Sequence, residues 1–148
     1  MRKEIGFSRL MKEGLNMKQI AASVTRGLQV GSKMRCADNS GVKVLEIISV
    51  FGFKGRRRMR AAAGVADLVS CKVAVGVESV RHQVWRAVVI RQRKEYRRPN
   101  GLRICFDDNA AVIVTEKNEP KGTIIKGPVA KEAVSRFPLI AKIATIVV

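Results

Sequence analysis

From Lys33 onward the chain is written in short runs rich in Val, Ile, Leu and Ala, each cut off by a cluster of turn-forming residues. Branched side chains suit the pleated surface of a strand, and turn clusters at this spacing predict many short strands. The runs are Lys33 to Ala37, Val42 to Val50, Leu68 to Val77, Val84 to Gln92, Leu102 to Phe106 and Ala110 to Thr115. Asp38-Asn39-Ser40-Gly41 turns the first into the second, and Asp107-Asp108-Asn109 turns the chain into the last. So many Val-rich strands would expose adhesive edges in an open sheet, so the pattern predicts a small closed barrel. Aromatic residues make up only 5% of the chain, so its core must be aliphatic.

Pro99-Asn100-Gly101 is the sharpest local signal, because Asn-Gly tolerates the two positive φ angles of a type I′ hairpin turn. It predicts that Val84 to Gln92 folds back towards Leu102 to Phe106. Beyond Pro120, Lys121-Gly122 and Gly127-Pro128 break the strand pattern. Pro128 is suited to open a helix over Val129 to Arg136, which Pro138 stops before an apolar piece, Leu139 to Val148. Residues 1–26 read as an N-terminal extension, with Phe7, Leu10, Met11 and Leu15 at the spacing of a short amphipathic helix. It is either an arm that orders on a partner or a frayed end, and Met17 leaves room for a shorter start. Residues 27–148 read as one β-barrel domain with a C-terminal helical appendage, and a domain about the size of the 148-residue chain buries roughly 68 to 70 percent of its unfolded surface.

Charge sets the kind of partner. Lys and Arg number 29 against 12 Asp and Glu, for a net charge of +17. That excess repels itself unless a polyanion neutralises it. Two segments concentrate it: Lys54, Arg56, Arg57, Arg58 and Arg60 without an acid among them, and Arg91, Arg93, Lys94, Arg97 and Arg98 around the single acid Glu95. Arginine's planar fork donates two parallel hydrogen bonds to a phosphate, so these segments, together with Lys33, Arg35, Lys43 and Arg81, are candidate RNA contacts. Tyr96, set among the arginines, either stacks on an unpaired base or packs its ring on the hairpin. Folded RNA fits better than duplex DNA, because nothing resembles a recognition helix, zinc finger or basic zipper. A membrane is not expected, since no run of about 18 apolar residues occurs.

Catalysis and metals find little support. Asp107 and Asp108 are adjacent, so in a strand they would point to opposite faces and could not share a substrate. His82 has no nucleophile in an evident elbow, beside Arg81 it reads as a surface contact, and no phosphate-binding glycine loop occurs. Cys36, Cys71 and Cys105 are far apart and read as reduced, buried small hydrophobes. No metal, cofactor or enzymatic activity is expected. A free-standing cold-shock-like barrel that binds single-stranded RNA is the rival reading, resting on Phe51-Gly52-Phe53. Gly52-Phe53-Lys54-Gly55 has the GxxG form of a KH clamp but follows a strand, so it reads as a turn.

Longer patterns narrow the choice. Ala87-Val88-Val89-Ile90, nine mostly basic residues, then Asn100-Gly101, Phe106, Asn109 and Val112-Ile113 resemble the universal large-subunit ribosomal protein fourteen family. Cys36-Ala37-Asp38-Asn39-Ser40-Gly41, Ala63-Gly64-Val65 with Asp67, and Gly127-Pro128-Val129-Ala130 agree in order, so the resemblance runs from about Val24 to Val148. RQRKEYRRP and the ending are closer to the archaeal and eukaryotic branch. The resemblance implies a mainly β fold: a five-stranded barrel, a projecting β-ribbon and a C-terminal region of two short α-helices. It implies a structural place in the cytoplasmic ribosome, with contacts to large-subunit rRNA, neighbouring ribosomal proteins and small-subunit rRNA across an intersubunit bridge. The C-terminal region is similar to a surface where an anti-association initiation factor docks, which makes Lys126, Lys131, Arg136 and Phe137 candidate protein or bridge contacts. The chain departs from the family pattern at Arg58, Met59, Arg60 and Ala61, and Ala66 stands where a glycine is usual.

Overall fold

The computed structural model describes residues 24–55 and 58–148. In chain order the strands are β1 (Leu28–Gln29), β2 (Lys33–Cys36), β3 (Val42–Val50), β4 (Ala62–Ala63), β5 (Leu68–Gly76) and β6 (Val84–Arg91). They continue with β7 (Tyr96–Arg97), β8 (Arg103–Ile104), β9 (Ala110–Val114), β10 (Ile125–Val129) and β11 (Ala144–Val147). Helices α1 (Lys131–Arg136) and α2 (Pro138–Ala141) lie between the last two strands. Strands β2, β3, β5, β6 and β9 close into a barrel. Neighbours run antiparallel except at the seam, where β2 meets β9 in parallel through Arg35 opposite Ala110 and Cys36 opposite Ala111. Buried Asp38 reinforces that seam by accepting the Ile113 N–H at 2.8 Å.

Two apolar bodies share one wall. Inside the barrel, Met34, Leu45, Ile47, Val69, Cys71, Val73, Ala87, Val89, Ala111 and Ile113 pack together. On the outer side of β6 and β9, Val88, Ile90, Val112 and Val114 meet Ile125, Val129, Ala133, Phe137 and Ile140 of the C-terminal region. Alternate residues of β6 and β9 therefore enter different bodies, which explains the unbroken apolar runs Ala87 to Ile90 in β6 and Ala110 to Val114 in β9. Each Val so enclosed contributes roughly 1.5 to 3 kcal/mol of burial. β2 and β3, with one face to solvent, keep the alternation that the sequence shows, Lys33, Arg35 and Lys43 pointing outward.

The Asn100-Gly101 turn departs from expectation in both type and partners. Arg98 and Leu102 form the closing pair: Gly101 N–H donates to the Arg98 carbonyl and Arg98 N–H to the Leu102 carbonyl, both at 2.9 Å. Only Gly101 of the loop has a positive φ, +87°. This is a three-residue loop with glycine in the left-handed position. A two-residue type I′ turn would make Pro99 part of the closing pair, and Pro99 has no N–H to give. The hairpin joins β7 to β8 as a ribbon of its own, while β6 pairs with β5 and β9.

Pro128 does not open a helix. It lies in β10, opposite Ile146 of β11, and the two strands run parallel. The proline at a helix start is Pro138, which ends α1 and begins α2. The apolar tail thus contains a strand as well as a short helix, and this strand pair covers the β6 side of the barrel. Cys105 is exposed, against the expectation of burial, whereas burial pushes the Cys36 and Cys71 thiols up to about 12, Asp38 adding to the effect at Cys36. The helical spacing around Phe7 to Leu15 lies outside the described residues. No helix among the described residues is long and apolar enough to cross a membrane.

Candidate nucleic-acid interface

The two arginine-rich segments receive opposite treatment. Arg91 ends β6 with only 8% of its surface exposed, so its charge needs partners. Its Nε and Nη2 donate to the two Asp108 carboxylate oxygens at 2.5 and 3.0 Å, and Nη1 donates to the carbonyls of Lys126 and Pro128, each at 3.1 Å. The Arg91 hydrogen bonds hold the Asp108 carboxyl below its ordinary range against the pull of partial burial. Gly127, at φ +83°, gives the guanidinium room: a Cβ there would meet Arg91 Nη1 at 3.1 Å. Arg91 is a tie between barrel and tail rather than an RNA contact.

Tyr96 is likewise turned inward, at 2% exposed, and its ring cannot stack on a base. Its hydroxyl donates to Glu132 Oε2 at 2.7 Å. Arg98 Nε and Nη2 donate to Glu132 Oε1 and Oε2 at 2.6 and 3.1 Å, and Nη2 also reaches the Val148 carbonyl at 2.7 Å. Burial favours protonated Glu132, but the Arg98 and Tyr96 hydrogen bonds outweigh it and the carboxyl is held below its usual range. Burial and the Glu132 contact push the Tyr96 hydroxyl well up. The cluster pins the ribbon to α1. That leaves Arg93, Lys94 and Arg97 of this segment facing solvent.

Lys54, Arg58 and Arg60 lie on the loop from β3 to β4, all exposed, and no ion pair among the described residues involves them. Arg56 and Arg57 lie outside the described residues. Lys33, Arg35 and Lys43 stand on the outer face of β2 and β3, and Arg81 follows a single 3-10 turn, Glu78–Val80. All four are exposed. Lys126 and Lys131 are exposed on the C-terminal region. Phe137 is buried and so is withdrawn as a surface contact, and Arg136 is half-buried, donating to the Ala66 carbonyl and Asp67 Oδ1, both at 3.0 Å.

Sequence reading missed the acids that immobilise cations, because Glu132 lies far along the chain from Tyr96 and Arg98. It also passed over Arg86, whose guanidinium sits 5.3 Å from the centre of the Phe51 ring, and Lys121, whose ammonium is 3.5 Å from that of Trp85. A charged residue inside the apolar run from Val84 was the available signal for Arg86. Asp107 is exposed, and among the described residues no group of three His, Cys, Asp or Glu is placed to hold a metal.

Residues 27–148 match the family model described as ribosomal protein L14p/L23e. Over 132 residues, covering 89% of this chain and all of the relative, the sequence is 52% identical to the large ribosomal subunit protein uL14 of Methanoregula boonei. The proteins of the same name from Methanospirillum hungatei and Halorubrum lacusprofundi are each 50% identical over the same coverage. These relatives are archaeal, in agreement with the branch read from RQRKEYRRP. A closed five-stranded barrel and two short C-terminal helices complete the agreement, and the chain belongs to the ribosomal protein L14p/L23e family.

Proposed function

We propose that this protein is a non-enzymatic, structural constituent of the large ribosomal subunit in the cytoplasm, and that it holds rRNA chiefly through the loop between β3 and β4. One observation carries the RNA reading: Lys54, Arg58 and Arg60 are exposed and unpaired among the described residues, on a stretch with no acid between Glu46 and Asp67. Lys33, Arg35, Lys43 and Arg81 extend the basic surface over the barrel, and Arg93, Lys94 and Arg97 extend it over the ribbon. Such contacts follow phosphate positions and RNA shape, with base reading secondary.

The C-terminal region is the proposed meeting place with proteins and with small-subunit rRNA across a bridge. Its support is chemical: β11 is an edge strand with Ile146 and Val147 exposed, and Lys126 on its partner β10 and Lys131 at the start of α1 are exposed as well. A neighbouring ribosomal protein, or an anti-association initiation factor, would add to that edge. Titrating an rRNA fragment at several salt concentrations tests the central claim. If six to ten phosphates are neutralised, affinity should fall roughly 10³ to 10⁵ fold between 50 and 200 mM salt. Binding that does not change with salt would overturn it.

A further inference from the structure

We infer that Phe51, backed by Arg86, is a stacking site for one unpaired base of the bound RNA. The inference rests on the RNA-binding reading above and names a ligand for a part of that surface which phosphate contacts alone leave idle. Phe51 ends the run of β3 and its N–H donates to the Leu68 carbonyl at 3.0 Å, so the ring is carried by backbone anchored to the barrel wall. Yet the residue is 39% exposed.

The Arg86 guanidinium rests 5.3 Å from the ring centre and also reaches the Glu116 carbonyl, to which it donates at 3.4 Å. A guanidinium already on a phenyl ring draws electron density and leaves a cationic aromatic platform, to which the face of an unpaired base adds favourably. Charge selects the same occupant. Lys54, Arg58 and Arg60 follow Phe51 on the same loop, no acid occurs between Glu46 and Asp67, and the Glu116 contact with Arg86 is through its carbonyl. An apolar protein partner would have to bury those cations unpaired. A polynucleotide neutralises them while one base covers the ring.

The test uses the full chain and two RNA hairpins of identical stem, one carrying a single bulged 2-aminopurine. The wild-type protein should bind the bulged hairpin about ten-fold more tightly than the perfect one, with quenching of the 2-aminopurine. Phe51→Leu should lose both the preference and the quenching, Phe51→Trp should keep both, and Arg86→Gln should weaken the preference. The salt dependence should be alike in all four proteins. Circular dichroism confirms folding, and Phe51→Trp secures the test if Phe51→Leu proves unstable. Equal binding of the two hairpins by wild type, or an undiminished preference in folded Phe51→Leu, would overturn the stacking site while leaving the RNA reading intact. Absence of salt-dependent binding to either hairpin would instead remove the RNA reading itself.

Discussion

Residues 54–60 and 91–98 have nearly the same composition and do different work. Of the first, Lys54, Arg58 and Arg60 lie exposed between β3 and β4 and join no ion pair among the described residues. The second leaves a strand enclosed on both faces and passes beneath α1, so Arg91, Tyr96 and Arg98 are drawn into contact with Asp108 and Glu132. Density of charge is therefore a poor guide to which arginines meet a ligand. What decides is whether the backbone that carries them is packed against something that can supply a carboxylate.

The strongest way to break this contrast is Glu132→Ala. Arg98 and Glu132 expose only 14% and 7% of their side chains, so removing the carboxylate strands a cation and the Tyr96 hydroxyl. Unfolding in urea should show a loss of about 3 kcal/mol. Arg58→Ala, in the other segment, should change stability by less than about 0.5 kcal/mol. Equal effects would abolish the distinction. The same carboxyl gives the contrast a pH dependence. Its folded pKa lies below the unfolded value of about 4.3, so its stabilisation is complete above that value and disappears as the pH falls through the folded pKa. Glu132→Gln should lose less stability than wild type between about pH 6 and pH 3, and parallel losses would contradict the assignment.

Arg91→Ala should cost roughly 2 to 3 kcal/mol in the same assay, since Asp108 and two carbonyls lose their donor. RNA affinity of the folded fraction should be unchanged. The converse experiment replaces Lys54, Arg58 and Arg60 together by Ala. Stability should stay nearly constant, while the slope of log affinity against log salt becomes shallower by about 2 to 3. A steep slope surviving in that variant would move the interface elsewhere on the barrel.

How much of this was legible beforehand follows from the same contrast. Strands with one wet face, such as β2 and β3, announce themselves by alternation, and β6 and β9 by the apolar runs Ala87 to Ile90 and Ala110 to Val114. Gly127 and Pro128 look like breakers, so the strand they belong to has the sequence signature of a helix start. Its partner, Ala144 to Val147, is an apolar piece whose period does not separate strand from helix. The exposure of Lys54, Arg58 and Arg60 is legible because a surface loop needs no partner to be what it is. The inward fate of Arg91, Tyr96 and Arg98 depends on acids brought near only by folding, and no local pattern records that.

Ala66 sharpens the contrast on the smallest scale, as a buried residue whose strain is held by the same network of ties. It adopts φ +68°, the left-handed region that a side chain makes unfavourable by roughly 1 to 2 kcal/mol. Its N–H donates to the Val89 carbonyl at 2.8 Å and its own carbonyl accepts from Arg136 at 3.0 Å, so the backbone cannot relax. Ala66→Gly releases the strain but loses a buried methyl worth about 0.8 kcal/mol and gains unfolded-state freedom of roughly 0.5 to 1 kcal/mol. These nearly cancel, and stability should move by less than about 1 kcal/mol. Ala87→Gly, in the shared barrel wall with no strain to release, should lose about 1.5 kcal/mol or more, and equal losses at the two positions would show that the left-handed turn at Ala66 carries no strain.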